Sequence, residues 1–287
     1  MHEVFDMFTV KNDHLLAYAR RVTESRSVPS PAAALRGHGV AASRGHGVEA
    51  VDGTGGPTAT VAPSADHRPM ADLLRQRMDR LRTHPFPTWM SGGAGTPADR
   101  LAAFLPLWIP DIMGYADLMT YALPFPDPGS PQERAVNRRV RLLASHHRLF
   151  AHDAAALHLD ERLRWTAGKS LRFLGYGKET ELQRAGMALF LDAAYRHPSP
   201  VIRFWLVEAL QGSGEAFFHH GSRLAGELES RDGIHLDYLA DRHPLAHPGL
   251  DPDPEADAVV FMRLPVTAAE RDIALGIINT VFDQVEE

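Results

Sequence analysis

Along most of the chain, apolar residues recur every three or four positions, the spacing of one face of an α-helix. No stretch alternates with period two for long enough to make a sheet, so the expected fold is all-α. RPMADLLRQRMDRLR places Met70, Leu73, Leu74, Met78 and Leu81 at helical spacing before a break at His84-Pro85. Thr96-Pro97-Ala98-Asp99 reads as a helix start, with a threonine N-cap, a proline whose missing N–H does no harm, and an acid in the first turn. The run that follows, 99–123, is apolar almost all round and belongs at the centre of a bundle, kinked at Pro106 and Pro110. Asp111 and Asp117 interrupt it, and Asp117 is read as a buried partner of a neighbouring helix.

The clearest stripe runs over 133–158, read as one helix with Val136, Val140, Leu143, His147, Phe150, Ala154 and Leu157 on a single face. It puts His147 in the core and His146 at the stripe's edge, and it leaves His152 and His158 solvated. Residues 160–196 give one or two helices broken near Gly175-Tyr176-Gly177. Ser199 and Pro200 then open a long central helix reaching about Ser230, on which Phe204, Glu208, Gln211, Glu215 and Phe218 share a stripe. Glu215 and His219 are four apart, so their side chains can meet over one turn. Carboxylates between aromatics need a cation, a metal or a shared proton before they can be buried. Gly212 and Gly214 in mid-helix, each costing about 1 kcal/mol relative to alanine, imply a close neighbour or ligand, or a bend. A helix over 233–243 is expected to carry Leu236, Leu239 and His243 on one stripe and Asp237 and Asp241 on another. Thr267 and Glu270 form a capping box for the last helix, whose apolar face is Ile273, Ile277, Ile278, Val281 and Phe282.

Outside this body the pattern changes. Residues 1–26 read as a short amphipathic helical segment, and 27–66, rich in Ala, Gly and Pro with RGHGV at 36–40 and 44–48, as a disordered linker. That leaves 67–287 as the helical domain. A formal net charge of −6 argues against a nucleic-acid or anionic-membrane partner, and the expected partner is a small molecule. With no cysteine there is no disulfide, thiolate metal site or cysteine nucleophile. Neither a secretory leader nor a run of about 18 apolar residues is visible, so the expectation is a cytoplasmic protein with no membrane partner.

Nucleotide-loop, nucleophile-elbow and HExxH patterns are absent, as is the paired ExxH of ferritin-like di-iron bundles. The remaining chemistry lies in Glu208, Glu215, His219, His147, Asp237, Asp241, His243 and His247 on consecutive helices, a set of oxygen and imidazole donors suited to iron or manganese. The alternative is scattered buried polar pairs plus an exposed His-rich turn.

Three segments carry a family likeness. SHHRLFAHDAAALHLD (145–160), PVIRFWLVEALQGSGEAFF (200–218) and LDYLADRHPLAHPG (236–249) resemble, in that order, the histidine helix, the inward-glutamate helix and the late His/acid helix of the haem-oxygenase-like superfamily. That superfamily includes the di-iron oxidases of this type and the TenA- and PqqC-like proteins. The closing LPVTAAERDIALGIINTVFDQV is similar in character to their last helix. The resemblance covers about 68–287 and implies a haem-oxygenase-like bundle of about seven helices, expected as a homodimer. It departs where the oxidases carry a glutamate on the first core helix, here only Asp111 or Asp117, and a carboxylate before the histidine, here Leu142 and Leu143. On the late helix His247 and Leu250 stand where an acid and a further histidine are usual.

The first reading implied is a non-haem oxidase or oxygenase using one or two Fe(II) ions on a small amino-acid-like or acyl substrate, in secondary metabolism. Its ligands are drawn from His146, His147, Glu208, Asp241, His243 and His247, with Glu215 and His219 orienting them. The second is a metal-free enzyme of the same fold, an acid–base cyclase or isomerase with Glu208 and His147 as the proton-transfer pair, or a pseudoenzyme partner protein. A third is haem held by His147 or His219.

Overall fold

A computed structural model describes residues 66–92, 95–240 and 260–286. Segment 1–26, almost all of 27–66, and Asp241, His243 and His247 lie outside these residues. Among the described residues there is no strand, and the all-α expectation holds. The described residues form ten α-helices, against the seven or so expected. They are α1 (Arg68–Arg82), α2 (Pro85–Gly92), α3 (Pro97–Asp117), α4 (Pro131–Ala144), α5 (His146–Ala156), α6 (Leu159–Leu163), α7 (Ala167–Tyr176), α8 (Glu181–Arg196), α9 (Pro200–Asp232) and α10 (Ala268–Glu286). None is long and apolar enough to cross a membrane.

α9 is the axis. At 33 residues it is about 50 Å long, from 1.5 Å of rise per residue, and it packs against α10, α1, α2 and α4. Trp205, Leu206, Val207 and Leu210 on successive faces of it are all buried, which explains its near-continuous apolar run. Gly212 is the contact point with α1, because a Cβ there would sit 3.0 Å from Leu74 Cδ1 and 3.1 Å from Met78 Sδ. Close helix approach is therefore the reason for that glycine. The helix ends at Gly233, whose φ of 66° is the left-handed conformation that a glycine takes without Cβ strain.

The expected Thr267 capping box forms, and the Thr96 cap is a capping box as well. The Thr96 hydroxyl accepts from the Asp99 N–H, and the Thr267 hydroxyl from the Glu270 N–H, each acid bonding back. Ser199 does not cap α9: its hydroxyl donates instead to Glu270 Oε1 at 2.6 Å, tying the start of α9 to the start of α10. His67 makes a second tie. Its buried ring accepts the Trp205 indole N–H at Nδ1 (3.2 Å), so Nε2 carries the proton and donates to the Leu264 carbonyl at 3.2 Å. Burial pushes the pKa of His67 down, consistent with a neutral ring.

Three expected elements differ. The helix read over 133–158 is two, because the chain breaks at Ser145. Val136, Val140, Phe150 and Leu157 of the stripe are buried, but His147, in the first turn after the break, is exposed and its Nδ1 lies 2.8 Å from the Ala144 carbonyl. Asp117, at the end of α3, is exposed rather than buried. Residues 233–240 are not helical; the buried Asp153 carboxylate of α5 accepts the backbone N–H groups of Asp237, Tyr238 and Leu239 at 2.6–3.1 Å. Those three donors cannot also close helical turns. α3 runs through Pro106 and Pro110 and relaxes at its end into a π-helical turn, Leu118–Ala122, closed by Leu123 N–H to the Leu118 carbonyl at 2.9 Å.

Candidate functional site

On α3 the spacing Phe104–Trp108–Asp111–Tyr115 follows steps of four, three and four, so one helix face carries two aromatics, an acid and a phenol. This face turns toward α8, α9 and α10, where it closes a cavity of about 60 Å³. Phe86, Phe104, Trp108, Phe190 and Phe217 supply the aromatic wall. Trp108 lies 4.9 Å from Phe104 and 5.6 Å from Phe217 between ring centroids, so the wall is a packed cluster. Asp111, Tyr115, Gln183, Ser213 and Gln284 supply the polar lining, and Gly214 of α9 adds backbone without a side chain.

Asp111 has neither a cation nor a hydrogen-bond donor among the described residues. Burial alone pushes its pKa up to about 8, so at neutral pH it is mostly the neutral acid. The Tyr115 phenol is pushed well above its usual value, first by burial and then by the Asp111 charge, while the Ser213 hydroxyl bonded to it works the other way. Tyr238 stands behind this pair, packed edge-on against Trp108 at 5.6 Å and Phe218 at 5.1 Å. Burial also pushes its pKa up, with Tyr115, Asp153 and Asp111 adding to the effect. Asp153 places Tyr238 there, since it accepts that residue's backbone N–H.

Two amides complete the lining. Gln284 donates Nε2–H to the Leu182 carbonyl at 2.7 Å, which fixes the amide's orientation and points Oε1 the other way. That oxygen is buried and has no hydrogen-bond partner among the described residues, and neither has Gln183 Oε1. Gly186 makes room for the Gln284 side chain: a Cβ there would lie 2.7 Å from its Cγ and Cδ.

Among the described residues, the side chains singled out in the sequence do not meet here. Glu208 is held by Arg139, whose Nη2 at 2.9 Å and Nε at 3.0 Å both donate to Glu208 Oε1. Burial pushes the Glu208 pKa up and the guanidinium offsets part of that. Glu215 is exposed and faces Arg82 at 3.3 Å. The cation, among the three ways of satisfying such carboxylates, is the one found for both. His147 is on the surface, His219 is exposed beside His220 with ring centroids 5.2 Å apart, and His146 packs at 6.2 Å from Tyr238. Asp237 faces His235 and His152 at the surface. Among the described residues no three His, Asp or Glu side chains are grouped to hold a metal ion.

Sequence reasoning passed over Tyr115, Tyr238, Asp153 and Gln284, and weighed Asp111 only as a substitute for a glutamate. The face spacing of α3 carried the signal for Asp111 and Tyr115. No local pattern marks Tyr238 or Gln284, which arrive from other helices and loops. No family model matches this chain, and no curated protein matches it.

Proposed function

We propose that the protein is an enzyme that moves a proton on a compact small molecule held against α3, with Asp111 as the acid–base group and Tyr115 as the hydrogen-bonding group beside it. One observation carries this reading: Asp111 is a carboxyl in an aromatic-walled cavity with no cation or donor among the described residues. A group of that kind costs stability wherever it serves only packing. A pKa raised to about 8 also suits a general acid or base working near neutral pH. This is the acid–base alternative raised by the sequence, carried by a different residue. A bundle of the haem-oxygenase-like kind is the architecture we propose around it, on the likeness of segments 145–160, 200–218 and 236–249.

The test is solvent exchange. Compact carbonyl and amine compounds are incubated with the protein in D2O, and deuterium at carbon is followed by NMR. The expected result is protein-catalysed exchange into at least one compound, reduced about a hundredfold or more in Asp111→Asn, the usual scale for a positioned acid–base group. Exchange indifferent to that substitution, or none with any compound, overturns the reading. Iron content after anaerobic Fe(II) loading, in the parent and in His243→Ala, tests the oxidase expectation separately.

A further inference from the structure

The polar lining of the cavity is one-sided in what it lacks. Gln284 Oε1 and Gln183 Oε1 are acceptors with no donor among the described residues, and Asp111 has neither donor nor cation there. Trp108, Phe104 and Phe217 are among the aromatic residues of its wall. A ligand matched to this lining brings N–H donors and a positive charge. Aromatic faces attract such a charge through their quadrupoles, best of all tryptophan. Acceptors seeking donors would be served by a neutral amide as well, but a cation also complements the charge of Asp111 once its carboxyl has ionised and is attracted by an indole.

Size narrows the choice. A cavity of about 60 Å³ is well below the roughly 150 Å³ that admits benzene, so it takes a head group of a few heavy atoms. We infer that the Asp111 cavity recognises a small primary ammonium group, either a short alkylamine or the amine end of a longer molecule, with Asp111 as its counter-ion, Gln284 Oε1 as an N–H acceptor and Trp108 as the aromatic face. This rests on Asp111 being the functional group proposed above, and it names the class of substrate that group acts on. Binding itself breaks no covalent bond: the ammonium keeps its protons and the ionised Asp111 carboxylate is its counter-ion.

The binding of methylammonium and ethylammonium, with acetamide as the neutral control, is measured by ligand-observed NMR on the full chain at pH 6.5 and 8.5. The expected result is saturable ammonium binding, tighter at pH 8.5 because the carboxyl must give up its proton to act as counter-ion. Asp111→Asn weakens it at least tenfold, and Trp108→Leu weakens ammonium more than acetamide. Circular dichroism of each variant checks that it is folded, and Gln284→Met, which keeps shape but removes the acceptor, is a second variant with the carboxyl intact. If acetamide binds in an Asp111-dependent way and the ammonium ions do not, the amine assignment is overturned while the proton-transfer reading stands. If nothing binds, or binding ignores Asp111→Asn, the amine assignment is overturned, and the solvent-exchange test decides the proton-transfer reading on its own.

Discussion

Two carboxyl groups on core helices meet opposite fates in this molecule. Glu208 Oε1 on α9 accepts from two Arg139 nitrogens, at 2.9 and 3.0 Å. Asp111 on α3 has no cation among the described residues and faces an aromatic-walled cavity. Burial pushes both pKa values up, but only Glu208 has a guanidinium pulling the other way. The paired acid holds α4 against α9, and its chemistry is spent on that bond. The unpaired acid costs stability and keeps its proton available. In a sequence the two look alike, each an acid in an apolar run; the partner separates them.

Removing the partner should convert one case into the other. Arg139→Met leaves Glu208 without its cation below the surface, and the expected loss is about 3 kcal/mol in urea unfolding, near the lower end for breaking such a pair because one fifth of the Glu208 side chain is exposed (21%). The double variant Arg139→Met/Glu208→Met should recover most of that loss, since the uncompensated charge is gone. A double variant as unstable as the single one would show that the pair contributes by packing alone.

The converse holds for Asp111. Its carboxyl is raised from an ordinary value near 3.8 to about 8, so between these values the folded protein holds a proton that the unfolded chain has released. The sign follows: stability from this group is fully present below about pH 4 and is lost as pH rises toward 8. The slope is at most about 1.4 kcal/mol per pH unit. Asp111→Asn should remove that slope, so the variant gains on the parent steadily from pH 5 to pH 8. Parallel stability curves for the two proteins would mean that Asp111 is ionised and paired in solution.

Asp153 is a third case, a fully buried acid satisfied by backbone rather than by a cation. Asp153→Ala leaves the N–H groups of Asp237, Tyr238 and Leu239 without their acceptor, at an expected cost of about 2 kcal/mol. It should also release Tyr238 from Trp108, so hydrogen exchange at 234–240 should rise far more than in α9. Equal protection in the two segments would show that something other than Asp153 holds this loop.

These cases show what the sequence conveys about its fold and site. Local signals read correctly: the Thr96 and Thr267 caps, the His84-Pro85 break, the span of α9 and the last helix are each set by a few adjacent residues. The break at Ser145 carries no proline or glycine, so nothing local marks it; the stripe's apolar members are buried or half-buried on both sides of it, and His147, next to the break, is the member that is not. The expected 233–243 helix failed because a side chain 84 residues away accepts the Asp237 N–H. The site was half legible. Phe104, Trp108, Asp111 and Tyr115 share a face by spacing alone, but whether an acid has an arginine opposite it depends on packing between helices far apart in sequence.

The smallest expected effect contrasts two glycines two residues apart. Gly212 abuts α1, where a Cβ would press on Leu74 Cδ1 at 3.0 Å and Met78 Sδ at 3.1 Å, both flexible ends. Gly214 lines the cavity, where a Cβ would meet only the Phe218 ring at 3.7 Å. Alanine gains up to about 1 kcal/mol of helix propensity at either place. At Gly212 the contacts offset that gain, so Gly212→Ala should be close to neutral in thermal unfolding and leave ligand binding unchanged. At Gly214 nothing offsets it, and Gly214→Ala should be the more stable variant while narrowing the space beside Asp111. Gly214→Val should narrow it further and weaken ethylammonium more than methylammonium. If Gly214→Ala stabilises and both ligands bind as before, the ligand lies elsewhere in the cavity and the glycine reflects packing history alone; if stability rises while binding falls, α9 has kept a glycine there at the expense of stability because the site needs the room.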